Sequence, residues 1–116
     1  VAQVDEKKIA DNLLEALEIG LTVKNIEVWM RNRNLHQPEY QVAQLTKLYE
    51  EVDELHTNVM MGECCLDDCG DVMVVAIGAA MRNGNSGREA LLQAFNDIKD
   101  RKGRMIDGVF VKEQDL

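Results

Sequence analysis

The sequence holds a single proline, at position 38, and few aromatic residues: one Trp, two Tyr and two Phe, 4 % in all. A β-sandwich or barrel draws on aromatic and β-branched strands with Pro-rich turns, so this composition argues against one. Frequent Glu, Lys, Leu, Ala, Gln and Met favour helices instead. No apolar run reaches the roughly eighteen residues that a membrane span needs, so no membrane partner is expected. The N-terminal segment has neither the basic patch nor the apolar run of a secretory signal. Cysteine is confined to Cys64, Cys65 and Cys69. An odd, clustered set is no disulfide framework, and no second ligand pair accompanies it as a zinc knuckle requires. A reducing, cytoplasmic setting is expected.

Positive charge is missing from one third of the chain. Between Leu48 and Met81 stand Glu50, Glu51, Asp53, Glu54, Glu63, Asp67, Asp68 and Asp71, with no Lys or Arg. Outside that window acids and bases balance, so the whole net charge of −8 sits there. A polymeric nucleic acid would be repelled, whereas a cation would be attracted. The 116 residues, 46 % of them apolar, suffice for one domain with one core. Neither an internal repeat nor a linker interrupts them. The chain is therefore read as a single domain over 1–116, with a partly extended tail from 103 to 116.

Apolar spacing divides the chain into helices. Ile9, Leu13, Leu14 and Leu17 predict a first helix from Asp5 to Ile19, closed by Gly20. Thr22 then caps a second helix carrying Ile26, Trp29 and Met30. Pro38 suits the first turn of a third, along which Val42, Leu45, Leu48, Val52, Leu55 and Val59 form one stripe. A fourth runs from Cys64 to Arg82. It is apolar almost all round from Val72 to Ala80, which makes it the central, buried helix; its length and the following Ala-Ala-Met favour helix over a strand at Asp71–Ile77. Ser86 and Glu89 form a capping box opening a fifth helix with Leu91, Leu92, Phe95 and Ile98 on its apolar face. After Gly103, Asp107-Gly108 flanked by Met105-Ile106 and Val109-Phe110-Val111 predicts a β-hairpin or tight turn. The expected fold is all-α: a bundle of four to five helices that oligomerises through them.

Two acidic motifs face each other in this scheme. Residues three apart on a helix point the same way, so Glu51 and Glu54 converge, as do Asp68 and Asp71. A connection at Gly62 lets the two helices run antiparallel and brings the four carboxylates together. Each like-charge pair at ~4 Å costs on the order of 1 kcal/mol even in water, and more when partly buried. No base within the window relieves this. Hard oxygen ligands then point to Mg²⁺, or to Mn²⁺. The plainer readings are a solvated acidic helix face and acids favoured at a helix N-terminus. Asp71 argues against both, since it abuts the apolar run, where an unpaired acid is costly.

The segment Gln44-x-x-Lys47-Leu48-x-Glu50-Glu51-Val52-x-Glu54-Leu55, followed by Asp68-x-Gly70-Asp71-Val72, resembles the MazG-like all-α nucleoside triphosphate pyrophosphohydrolases. Their signature is EExxE, a spacer, then ExxD; here thirteen residues separate Glu54 from Asp68. The closing stretch Asn96–Met105 and Gly108–Glu113 is similar to the tail of small phage- and bacterial-type members. The resemblance covers about Lys24 to Glu113. Position 68 departs from it: Asp, one methylene shorter, stands where the signature has Glu, leaving room for a water between it and an ion.

The resemblance implies a helical homodimer or homotetramer that cleaves a nucleoside triphosphate to the monophosphate and pyrophosphate with Mg²⁺, a house-cleaning role in the nucleotide pool. Glu51, Glu54, Asp68 and Asp71 would hold the metal, and Glu50 would orient or deprotonate the attacking water. Lys47 would reach a phosphate oxygen, or else pair with Glu51 one turn on. Lys99, Arg101, Lys102, Arg104 and Lys112 against Asp100 and Asp107 make the tail basic, suited to clamp phosphate or simply to end a helix. Trp29 would stack on a base, or serve the core or an interface. Gln44 would read a base edge, or lie on the stripe. Two alternatives stand beside this reading: a phosphoribosyl-ATP pyrophosphohydrolase, and a noncatalytic helical module whose acidic face binds a basic partner.

Overall fold

In the computed structural model, which describes residues 3–116, the chain forms four α-helices and a terminal β-hairpin. Asp5 caps α1 (Glu6–Arg31) by accepting from the Lys8 amide at 3.0 Å. The two N-terminal helices expected from the sequence are this one helix. Gly20 does not adopt the left-handed conformation that would end it. The Thr22 hydroxyl donates back to the Glu18 carbonyl at 2.8 Å, a bond made inside a helix, instead of capping a new one. The helix ends further on, at Arg31, and Asn34 (φ 59°) turns the chain away, the Leu35 N–H donating back to the Met30 carbonyl.

Pro38–Tyr40 forms a 3-10 turn that leads into α2 (Gln41–Met60). Gly62 (φ 72°) closes α2, its N–H donating to the Val59 carbonyl and that of Glu63 to the Asn58 carbonyl. The chain then reverses into α3 (Leu66–Arg82), which starts two residues later than expected. The helix reading of 71–77 holds over the strand. As expected, α3 is central, packing on α1, α2 and the following helix, but it is not buried all round: Val75, Gly78 and Met81 are buried while Met73 and Ala76 are exposed. Ser86 caps that helix, α4 (Gly87–Ile98), accepting from Glu89 N–H at 3.1 Å. Glu89 answers through the Ser86 hydroxyl rather than the backbone amide of the expected box.

β1 (Gly103–Ile106) and β2 (Val109–Lys112) pair antiparallel, Met105 opposite Phe110 and Ile106 opposite Val109. Asp107 (φ 50°) and Gly108 (φ 81°) supply the two positive φ angles of the turn that suits strand twist.

Little of the apolar surface is covered. Among the described residues the buried hydrophobic side chains are Met30, Val75 and Met81, and none is completely buried. The expected stripe on α2 is a correction. The face turned to α3 runs through Gln41, Gln44, Leu48, Glu51, Leu55 and Asn58, so Val42, Leu45, Val52 and Val59 fall beside it and stay exposed. Leu91, Leu92, Phe95 and Ile98 of α4 are exposed as well. The chain presents 9412 Å², against about 6,400 Å² for a compact monomer of this mass. Its radius of gyration is 17.9 Å, against about 13 Å for a compact domain of this length. No described helix is long and apolar enough to cross a membrane.

Candidate metal centre

Two polar ties set the register between α2 and α3. At one end the Gln41 side-chain amide donates to the Ala79 carbonyl at 2.9 Å; at the other, Asn58 donates to Asp68 Oδ2 at 2.8 Å. Arg82 reinforces the first, donating from Nε to the Leu35 carbonyl and from Nη1 to Gln41 Oε1, both at 2.9 Å. Burial without a carboxylate partner holds that guanidinium below its ordinary pKa. The middle of the α2 face, where Glu51 lies, is thereby pressed toward the start of α3.

Glu51, Glu54 and Asp71 each place a carboxylate oxygen within 4.8 Å of the others. Glu51 is buried, at 6 % exposure, Asp71 half-buried and Glu54 exposed. Lys47 Nζ lies 2.8 Å from Glu51 Oε1 and 3.8 Å from Glu50 Oε2, so of its two expected roles the ion pair is the one formed. Glu51 Oε2 is buried with no hydrogen-bond partner. The crowding shows in the titration of its neighbours. The Glu51 charge, then desolvation, pushes the Glu54 pKa up. Desolvation, then Asp67, Glu51 and Asp68, pushes up that of Asp71. The bond to Glu51 raises Lys47.

Asp68 stands apart from the expected four-carboxylate set. It is buried and committed to Asn58, and with Asp53, Glu54, Thr57 and Asn58 it lines an adjoining cleft of about 230 Å³. Asn58 is the residue that sequence reading missed. It follows Glu51 by seven and Glu54 by four on one face, a spacing that was visible, but an amide among acids carried no signal of its own.

The remaining expected residues lie elsewhere. Glu50 is about a quarter-turn round α2 from Glu51, 60 % exposed, and borders a shallow groove with Tyr49, Asp53 and His56. It does not join the cluster as a direct proton acceptor would. Gln44 is half-buried on the α3-facing side of α2. Trp29 is half-exposed on α1, with the Arg33 guanidinium 4.1 Å from its ring centre, so a cation already covers one face. Arg101 and Lys102 line a concavity of about 600 Å³ with Lys112, Asp97, Asp100 and Glu113, while Arg104 is exposed on β1. No residue of α2 or α3 lines that concavity. The three cysteines are free thiols; desolvation and the neighbouring Cys65 raise the Cys69 pKa, which suits no nucleophile.

Three convergent carboxylates, one with a buried unmatched oxygen, fit a hard divalent cation such as Mg²⁺ better than they fit one another. Comparison with known protein families, characterised proteins and solved structures gives no match.

Proposed function

We propose that this protein is a Mg²⁺-dependent pyrophosphohydrolase that converts a nucleoside or deoxynucleoside triphosphate and water to the monophosphate and pyrophosphate. The observation that carries the reading is Glu51: nearly out of water, paired to Lys47 through one oxygen and unmatched at the other, within 4.8 Å of two further carboxylates. Glu51, Glu54 and Asp71 would hold the ion, with Asp68 behind Asn58 at the edge of the adjoining cleft. When bound, Mg²⁺ would neutralise the triphosphate and lower the pKa of a water. Lys47 holds the Glu51 carboxylate in place through their ion pair. The cleft beside Glu54 offers room for a water or a phosphate oxygen. The resemblance in the acidic motifs and the tail supports the same reading. So do the absence of bases between Leu48 and Met81 and the uncovered apolar faces, which suit a homodimer or homotetramer. Three free thiols suit a cytoplasmic setting.

The test is pyrophosphate release from a panel of NTPs, dNTPs and phosphoribosyl-ATP, with Mg²⁺ and with chelator. Release is expected with Mg²⁺ alone. Glu51→Gln is expected to lower it by more than the roughly 10–100-fold that follows loss of an outer partner of a metal ligand. Preference for phosphoribosyl-ATP would select the runner-up enzyme. No release from any substrate by folded protein would leave the noncatalytic acidic module.

A further inference from the structure

The C-terminal hairpin has nothing of its own chain to rest on. β1 and β2 pack on each other and on the 3-10 turn Glu113–Asp115, and on no helix to a comparable extent. Met105, Ile106, Val109 and Phe110 are all exposed. An isolated two-stranded hairpin is marginal in water, so a stable one needs a surface to cover it. Its bases are equally uncommitted: Arg101, Lys102, Arg104 and Lys112 form no ion pair among the described residues.

The carboxylate cleft has the opposite deficit. It lies in the window that holds eight acids and no base. Lys47, one helical turn before Glu51, is spent on that carboxylate. A triphosphate adds further negative charge, and one divalent ion does not balance it. The hairpin would supply that balance, but in its own chain it does not approach the cleft.

We propose that the hairpin of one copy closes over the carboxylate cleft of a second copy, so that each site is built from two chains. This rests on the pyrophosphohydrolase reading. The occupant is a second copy for two reasons. The chain exposes about 3,000 Å² beyond a compact monomer of its mass, well over the roughly 800 Å² per partner of a stable interface. The hairpin taken with the residues that lead into it is also opposite in charge to the cleft, +3 over residues 99–112 against eight acids over 48–81. The groove of about 810 Å³ between α1 and α4, lined by Leu17, Leu21, Leu91, Leu92 and Phe95, provides the apolar contact that holds the copies together. In the assembly Arg101, Lys102, Arg104 and Lys112 contact the triphosphate bound by the other copy.

The test is a hybrid. One chain carries Glu51→Gln with an intact hairpin. The other carries Arg101→Ala, Lys102→Ala and Arg104→Ala with an intact cluster. Each alone is expected to lose at least about a hundred-fold, as when a donor aimed at developing charge is removed. Co-expressed with two tags and purified through both, the hybrid regains about half of wild-type turnover, because one of two equivalent sites in a two-fold dimer is then intact. A hybrid as inactive as its parents, beside an active wild type, overturns the proposal. An inactive wild type overturns the functional reading instead and is seen before any hybrid is made. In that case carbodiimide coupling of mixed isotope-labelled and unlabelled wild-type chains decides the docking. Links from Lys102 or Lys112 to acids of residues 50–71 between chains support it; links within one chain, or none, refute it.

Discussion

Glu51 has one partner where a buried carboxylate needs two. Its Oε1 is on Lys47 and its Oε2 is orphaned, with Glu54 and Asp71 adding negative charge to the same place. That trio was legible because EExxE and DxxD spacings converge on helices whatever surrounds them. The separate position of Asp68 was not, since it depends on which side chain of α2 arrives opposite it, a matter of helix register. The charge crowding has a consequence for pH. Glu54 and Asp71 are harder to ionise in the folded chain than when unfolded. In ionised form they oppose folding; the penalty is present above their folded pKa values and disappears below the unfolded ones. Lowering pH from neutral toward the ordinary carboxylate range near pH 4 therefore removes it, as does Mg²⁺ at neutral pH. In thermal melts of metal-free protein, wild type is expected to gain more on acidification than the Glu54→Gln/Asp71→Asn variant. Mg²⁺ at pH 7 is expected to raise the wild-type Tm but not that of the variant. Equal responses would remove the electrostatic account of the cluster.

Helix boundaries were legible where a side chain closes a local hydrogen bond and misread where only residue type suggested one. Ser86 accepts from Glu89 N–H, and Asp107-Gly108 takes its positive φ angles, both as expected. Gly20 and Thr22 look like a stop and a start, yet α1 runs through them because nothing at either position competes with the helical bonds. The α2–α3 pair is the element on which the site depends, and Asn58–Asp68 is the tie at its acidic end. Asn58→Ala would leave Asp68, only 7 % exposed, without its donor. Urea unfolding is expected to show a loss of about 1.5–3 kcal/mol, the range for a hydrogen bond to a charged group. A change within about 0.5 kcal/mol, typical of a surface site, would mean that the tie does not set the register.

At the scale of the whole molecule, the all-α class, the central helix and the terminal hairpin followed from composition and spacing. The covering of the apolar faces did not, because periodicity marks a face as apolar without saying which chain buries it. Val42, Val52 and Val59 on α2 and Phe95 on α4 are exposed in the single chain. Light scattering after size exclusion is expected to give at least twice the 13.1 kDa of one chain. Phe95→Glu in the α1–α4 groove is expected to lower both that mass and the Tm; a wild-type monomer at micromolar concentration would contradict the reading of these faces. The account as a whole turns on whether the carboxylates between α2 and α3 hold a divalent ion, and Mn²⁺ titration followed by electron paramagnetic resonance tests that most directly. Wild-type protein is predicted to quench the free Mn²⁺ signal and to release it on addition of Mg²⁺, while Glu51→Gln leaves the signal largely unquenched. Equal uptake by the two proteins, or none by either, would contradict a metal centre at Glu51.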